Sequence, residues 1–261
     1  MKDLTIIVPL KPFKPEHTEL YDRSIKSILT ADKTNDVSII FIGPDSAIKQ
    51  IENYDFGERE TLNIINNNTK NLELQFQINK AVKDVKTEYF SVLEFDDRYT
   101  ENWFENFDKY SKYYDASLYL PLIEVFDNEK SELGAIGYLN EPVWASSFSD
   151  EIGYIDNECL KSFFDFVVSG GVFRKDDFLA VGGLKTNIKV FFWYEFLLRL
   201  THNNKKIFVI PKVGYEHFIN VEDSLTSEYQ KLDAAEIDFW FKSAQDKYVF
   251  KNDVKISYVA D

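Results

Sequence analysis

The residues best suited to chemistry are three carboxylates within four positions, Glu94-Phe95-Asp96-Asp97, at the end of a hydrophobic stretch. Carboxylates placed this close together repel one another. A hard divalent cation with oxygen ligands, bridging to a diphosphate, would relieve that repulsion. Alternatively, Asp96 and Asp97 cap a helix that begins near Glu101. The local sequence leaves both interpretations open.

The glycine-rich phosphate-binding motifs are absent. The chain contains neither G-x-G-x-x-G nor G-x-x-x-x-G-K-[ST], so a Rossmann dinucleotide site and a P-loop are both excluded. Any diphosphate would therefore be held by a cation rather than by a glycine loop.

The elements that must position the acidic residues alternate between strands and helices. Continuous apolar, β-branched runs predict buried strands, and apolar residues at helical spacing predict amphipathic helices. In the first half these are strands over 4–8, 37–42, 60–66 and 88–95, and helices over 16–30 and 74–85. Ligands bind outside the carboxyl ends of such strands. Pro9-Leu10, Gly43-Pro44-Asp45 and the acidic residues stand at three of those ends.

The second half is less regular and carries a long aromatic-rich loop. Its predicted elements are strands over 116–126, 166–173, 207–211 and 213–217, and helices over 175–181, 191–201 and 227–248. The whole pattern predicts an α/β fold.

Composition excludes several classes of protein. The 30 Lys and Arg residues against 44 Asp and Glu give a formal charge of −14, which opposes binding to nucleic-acid phosphates or to an anionic bilayer. The apolar runs are shorter than the roughly 20 residues of a spanning helix, so no membrane insertion is expected. Because Cys159 is the single cysteine, no internal disulfide can form, and we expect a reduced, cytoplasmic protein.

Read in order, these motifs resemble the family 2 glycosyltransferases, which have a GT-A fold. The matching segments of the first half are Leu4-Thr5-Ile6-Ile7-Val8-Pro9-Leu10, Ile40-Phe41-Ile42-Gly43-Pro44-Asp45-Ser46, Asn79 eight residues before Thr87-Glu88-Tyr89, and Glu94-Phe95-Asp96. Those of the second half are Gly170-Gly171-Val172-Phe173-Arg174, Trp193-Tyr194-Glu195-Phe196-Leu197-Leu198-Arg199, and Tyr215-Glu216-His217 with Ser224. Four residues depart from the family pattern: Ile78 replaces Arg, Thr87 replaces Gly, Glu94 replaces Asp, and Glu195 stands for the Asp base.

The resemblance implies a mostly parallel central sheet flanked by helices, with a C-terminal helical extension. Residues 1–226 would form the GT-A domain, with 1–112 as the nucleotide-sugar half and 113–226 as the acceptor half. Residues 227–261 would form the final helix and tail, which either pack on the domain or make a homodimer contact.

The resemblance also implies a donor site for a nucleotide sugar, most simply a UDP-sugar. Asp96 and His217 would bind Mn²⁺ or Mg²⁺, which offsets charge on the leaving nucleotide. The other donor-site residues implied are Pro9, Leu10, Asp45, Asn79, Glu94 and Phe95.

On the acceptor side, Gly170, Trp193 and Trp144 would contact a glycan or another hydroxyl acceptor. Glu195 would be the general base of an inverting transfer of the kind used in polysaccharide biosynthesis. The alternative for Glu195 is an ion pair with Arg199, four residues on along a helix. Two other functions remain open: a non-catalytic carbohydrate-binding or nucleotide-sugar-binding relative, and a sugar nucleotidyltransferase.

Overall fold

A computed structural model describes residues 3–12, 14–34, 36–56, 62–66, 71–146 and 148–251. Ten described strands form one sheet, so the predicted halves share a single structural core. The strands are β1 Leu4–Pro9, β2 Ser38–Gly43, β3 Leu62–Asn66, β4 Tyr89–Val92, β5 Arg98–Tyr99, β6 Leu118–Asp127, β7 Gly137–Leu139, β8 Tyr154–Ile155, β9 Val172–Arg174 and β10 Ile207–Ile219.

Helices cover both faces of this sheet. They are α1 Thr18–Ala31, α2 Asp45–Glu52, α3 Leu74–Val82, α4 Trp103–Tyr110, α5 Asn157–Ser162, α6 Lys175–Ala180, α7 Phe192–His202, α8 Leu225–Tyr229 and α9 Ala234–Gln245. None of the helices in these ranges is long and apolar enough to cross a bilayer.

The strand order is β3-β2-β1-β4-β9-β6-β10-β5, with β7 beside β6 and β8 beside β10. Strands β3, β2, β1 and β4 are mutually parallel, and β6 is parallel to β10. Because β9 is antiparallel to both β4 and β6, six of the ten described strands point the same way. The predicted α/β fold with a mostly parallel sheet is therefore confirmed.

The hydrophobic core has two layers, one on each face of the sheet. All six residues of β1 are buried, as expected for a parallel strand covered on both sides. Since side chains alternate along a strand, Ile7 packs into one layer while Ile6 and Val8 pack into the other.

The second half departs from its predicted elements in three places. The predicted strand 166–173 is a strand only from Val172, and it continues to Arg174. The two predicted strands 207–211 and 213–217 form one strand, 207–219, with register shifts on either side of Val213. The predicted helix 227–248 divides into α8 and α9, because Asp233 accepts a hydrogen bond from Glu236 N and caps a new helix. The predicted boundary after residue 226 falls inside α8, and tail residues 252–261 lie outside the described residues.

Candidate functional site

Two neighbouring cavities open at the carboxyl ends of β1 and β4. The first has a volume of about 440 Å³ and is lined by the loop after β1, the start of α3, and the α8–α9 segment. The second, about 420 Å³, is lined by the segment 164–169, the start of α7, and His217 on β10. Glu94, Leu225 and Tyr229 border both cavities. The two spaces therefore meet at the acidic turn formed by residues 94–97.

Two side chains of α1 bind the backbone of the acidic turn. Ser24 Oγ lies 2.6 Å from the Asp97 carbonyl oxygen, and Arg23 Nη2 donates a 2.7 Å hydrogen bond to the Asp96 carbonyl. Asp96 and Asp97 are 3% and 1% exposed. The turn therefore concentrates buried carboxylates at a position that the fold supports rigidly.

Burial and mutual repulsion set the electrostatics of the turn. Burial, followed by the neighbouring charge of Asp97, raises the pKa of Glu94 to about 7. Burial, Asp97 and Glu94 together raise the pKa of Asp96 well above its ordinary value. Strongly raised carboxylate pKa values are common at functional sites. A cation bound at this turn would remove the repulsion that contributes to them.

Asp97 orients His217 and does not cap a helix. Its two carboxylate oxygens lie 3.1 and 3.0 Å from His217 Nδ1, and Oδ1 accepts a 2.9 Å bond from Phe218 N. Burial alone would lower the pKa of His217, but the Asp97 carboxylate raises it to about 9. Helix α4 starts instead after Asn102, without a side-chain cap. The helix-cap alternative for Asp96 and Asp97 is therefore wrong.

The first cavity brings together four of the predicted donor-site residues. Pro9, Leu10, Glu94 and Phe95 all line it. Asp45 occupies the first turn of α2, is exposed, and lines neither cavity. Its contact with a base therefore stays a prediction.

Asn79 corrects the predicted donor site. Its side-chain amide donates a 2.7 Å bond to the Leu184 carbonyl and accepts a 2.8 Å bond from Leu184 N, and it lines neither cavity. The side chain therefore clamps a loop.

Other first-cavity residues were not predicted. Gln77 Nε2 donates to the carbonyls of Leu10 and Leu72, at 3.3 and 3.0 Å. Gln75 Nε2 donates a 3.1 Å bond to the Ile188 carbonyl. Both amides occupy buried positions on α3, and the apolar periodicity that predicted this helix gave no signal for them.

Lysines complete the first cavity. Lys11 and Lys189 line it, and Lys11 Nζ lies 3.3 Å from Glu228 Oε1 on α8. Tyr229 of the same helix donates a 3.2 Å bond to the Lys189 carbonyl. Helix α8 is thereby joined to the loop after β1 and to the chain before α7.

Glu195 is the largest correction to the predicted site. It is 0% exposed and lies 2.6 Å from Lys185 Nζ and 2.8 Å from Arg199 Nη2, and Tyr248 donates its hydroxyl hydrogen to it. It lines neither cavity. The alternative i, i+4 pair with Arg199 is confirmed, and the carboxylate has no access to an acceptor.

Trp193 lines the second cavity, and its contact with an acceptor stays a prediction. Its ring stacks on Phe173 with centroids 5.7 Å apart and lines the cavity beside Asp96 and His217. The residue before α7, Phe191, has φ +61°, a conformation that costs a bulky side chain energy and is typical of constrained sites. That turn starts α7 so that its first side chains border the cavity.

Trp144 and Gly170 line neither cavity, which corrects their predicted acceptor contacts. Trp144 packs edge-on against Phe208 with centroids 6.0 Å apart, within the core. Gly170 has φ +71° and lies directly against the Tyr215 ring, and its carbonyl accepts a 2.9 Å bond from Trp103 Nε1.

Replacing Gly170 by alanine is expected to lower the free energy of unfolding by about 2–4 kcal/mol. An L-residue is strained at this positive φ, and the added Cβ would overlap the buried Tyr215 ring, which adds a cost of overpacking. Gly182→Ala is the matched control, because its φ is +90° but only Arg199 Nη1, at 3.7 Å, approaches the added Cβ. Urea denaturation measures both variants. Equal losses would show that strain alone, without overlap, sets the cost.

The fold that surrounds these cavities is the GT-A-like fold, which is what the resemblance implied. Similar solved structures include S. aureus TarS 1-349, at TM-score 0.65 and 12% identity, over 94% of this chain and 73% of that one. TarS 1-349 in complex with UDP-GlcNAc matches at TM-score 0.64 and 11% identity, with the same coverage. The longer TarS structure matches at TM-score 0.64 and 13% identity, over 98% of this chain and 46% of that one. No family model and no curated protein matches the sequence.

Proposed function

We propose that the protein is a glycosyltransferase that binds a nucleotide-diphosphate sugar in the first cavity and a hydroxyl acceptor in the second. The observation that carries this proposal is the acidic turn at the junction, where Glu94 borders both spaces. A sugar transferred between two substrates must pass through such a junction.

The first cavity offers a nucleoside diphosphate an apolar surface and two lysines, but four glutamates also line it, Glu73, Glu94, Glu228 and Glu236, so phosphates would need a cation as well. Pro9, Leu10 and Phe95 supply apolar surface for a base, and Lys11 and Lys189 supply positive charge for phosphates. Uridine is the nucleoside to test first, because TarS has been solved in complex with UDP and with UDP-GlcNAc.

Asp96 and His217 fit a divalent cation such as Mn²⁺ or Mg²⁺. Both line the second cavity, and His217 Nδ1 is bonded to Asp97, which leaves Nε2 as the atom for a ligand bond. Burial lowers the pKa of His217 but Asp97 raises it to about 9, so a cation would have to displace the Nε2 proton to bind there. No group of three or more acidic, His or Cys side chains in the described part of the chain is placed to hold a metal. Such a cation would therefore depend on substrate phosphates for further oxygens, as Mg²⁺ commonly does. When bound, it would offset negative charge on the leaving nucleotide.

Two further side chains of the second cavity, Trp193 and Glu94, would contact the sugars. Trp193 offers an aromatic surface on which a sugar ring can stack, and Glu94 is placed to contact the transferred sugar. The proposal also includes an inverting displacement and a glycan acceptor in polysaccharide biosynthesis. It further includes a cytoplasmic location and a homodimer.

UDP-GlcNAc with Mn²⁺ is expected to raise the melting temperature by about 5–10 °C. A ligand at about 100 times its Kd stabilises the folded state by about 2.7 kcal/mol, and a chain of this size shifts by about 2–4 °C per kcal/mol. Differential scanning fluorimetry measures the shift. EDTA should remove most of it, and UMP, which lacks the second phosphate, should give a smaller one. If no UDP-, GDP-, dTDP- or CMP-sugar shifts the transition, the proposal is wrong.

A second candidate is a relative that binds nucleotide sugars without catalysis. The burial of Glu195 favours it, because α7 then presents no carboxylate to the second cavity. Mn²⁺-dependent binding of UDP-GlcNAc without release of UDP would support this candidate over the transferase.

A further inference from the structure

Transfer to a hydroxyl requires a group that accepts the hydroxyl proton. The residues of α7 that line the second cavity are aromatic, and Glu195 is committed to its ion pairs. Among the described residues that line this cavity, the carboxylates are Glu94, Asp96 and Asp165. His217 lines the same cavity, but its ring is held by Asp97 and it is a proposed cation ligand. The choice of proton acceptor therefore lies among the three carboxylates.

Two of the three carboxylates, Glu94 and Asp96, already have another contact or another proposed role. Glu94 accepts a 3.3 Å hydrogen bond from Ser169 Oγ and lies in the acidic turn. Asp96 is 3% exposed and is the proposed cation ligand. Asp165 is exposed, and its carboxylate has no hydrogen bond or ion pair within the described part of the chain. Partial burial raises its pKa above the ordinary value of an aspartate, which favours proton acceptance.

The backbone that follows Asp165 is anchored. Phe166 and Val168 are each 4% exposed and pack into the core. Asn140, 0% exposed, accepts a 2.9 Å bond from Val167 N and donates a 2.9 Å bond to the Val167 carbonyl.

The segment is also tied to its surroundings at each end. On its N-terminal side, Phe164 packs against Tyr194 and Phe241. On its C-terminal side, the bond from Ser169 ties it to Glu94 in the acidic turn. These contacts hold the backbone that carries Asp165 at the edge of the second cavity. Its carboxylate, which has no partner among the described residues, is left available to an acceptor hydroxyl.

We propose that Asp165 is the catalytic residue that accepts the proton of the attacking hydroxyl, an inference that rests on the proposed transferase function. The hydroxyl oxygen bonds to the anomeric carbon while its proton passes to the Asp165 carboxylate. The bond from the anomeric carbon to the diphosphate oxygen breaks, and its electron pair leaves with the nucleoside diphosphate.

The test uses Asp165→Asn with UDP-GlcNAc, Mn²⁺ and water as the acceptor. Release of UDP is expected to fall by about 100-fold or more, the usual contribution of a general base, while the thermal shift with UDP-GlcNAc is unchanged. Azide carries no proton to lose, so adding it should restore UDP release and form the glycosyl azide. Asp165→Ala should respond to azide in the same way, which a merely structural role would not produce.

Asp176→Asn is the matched control, because this exposed aspartate on α6 lines neither cavity. It should keep the wild-type rate. Turnover of Asp165→Asn within about threefold of wild type would overturn the assignment, and so would loss of turnover that azide does not restore. Wild type that binds UDP-GlcNAc but releases no UDP with water or azide would overturn it too, and leave donor binding standing. Wild type that fails to bind any nucleotide sugar would instead overturn the proposed function itself.

Discussion

Replacement of Glu195 by glutamine is expected to lower the free energy of unfolding by about 3–5 kcal/mol, the usual cost of breaking a buried ion pair, while UDP-GlcNAc still binds. The carboxylate is 0% exposed and is shared by Lys185 and Arg199. Glutamine keeps the shape but leaves these two cations without their counter-charge. Urea denaturation measures the loss, and the thermal shift with UDP-GlcNAc measures binding.

The effect should depend on pH in a defined direction. Burial alone would raise the pKa of Glu195, but its bonds with Arg199, Lys185 and Tyr248 hold it below the ordinary value. The ion pair therefore contributes fully at pH values above the unfolded-state pKa of about 4.3. Its contribution is lost as the pH falls through the lower folded-state pKa. The difference in stability between wild type and variant should shrink on that acidic side.

Glu105→Gln provides the control for this variant. Glu105 is 59% exposed and pairs with Lys33 at 3.3 Å, and such surface pairs contribute about 0–1 kcal/mol. A Glu195→Gln protein as stable as wild type but unable to release UDP would contradict our interpretation and return Glu195 to a catalytic role.

Replacement of Asp96 by asparagine is expected to lower Mn²⁺-dependent release of UDP from UDP-GlcNAc by about 100-fold or more. Loss of a cation that supplies several kcal/mol of charge stabilisation corresponds to a tenfold loss for each 1.36 kcal/mol. A coupled assay for UDP, run across a Mn²⁺ titration, measures both the rate and the metal requirement.

The same variant should be more stable than wild type when no ligand is present. Burial and the carboxylates of Asp97 and Glu94 disfavour the charged form of Asp96, so a neutral amide removes repulsion that ligand-free wild type retains. Gain of stability with loss of activity is the usual behaviour of a functional site. Unchanged turnover in Asp96→Asn, with the Mn²⁺ dependence of wild type, would show that Asp96 is not a cation ligand.

The sequence predicted β1 to β4, α1 and α3, because most of those strands are continuous apolar runs and the two helices have apolar residues at helical spacing. It did not predict α2 or the two-residue strand β5. It did locate the acidic turn, since Glu94, Asp96 and Asp97 are neighbours in the chain. It could not show that Asp97 holds His217, because that bond joins residues 120 positions apart. Nothing local in a sequence encodes such a pairing.

Helical geometry helps to explain why the predicted base, Glu195, lies outside the second cavity. Residues advance by about 100° around a helix, so Trp193 and Glu195 point in directions about 200° apart. Glu195 points instead toward Lys185 and Arg199, which bind its carboxylate. Asp165, by contrast, lies in the run Phe163-Phe164-Asp165-Phe166. A single carboxylate among aromatic residues can indicate a functional site. Asp165 lies outside any helix or strand, however, so no periodicity in the sequence could predict which way its side chain points.

The position of β9 between β4 and β6 has a consequence for how the chain can be divided. A fragment that ends at residue 112 would contain β4 but not β9, the strand beside β4 in the sheet, because β9 begins at Val172. It would also lack β6, which begins at Leu118. The unpaired edge of β4 would then be open to association with other chains. We therefore expect the two halves to unfold as a single cooperative unit, and deletion studies should vary surface loops rather than cut the chain after residue 112.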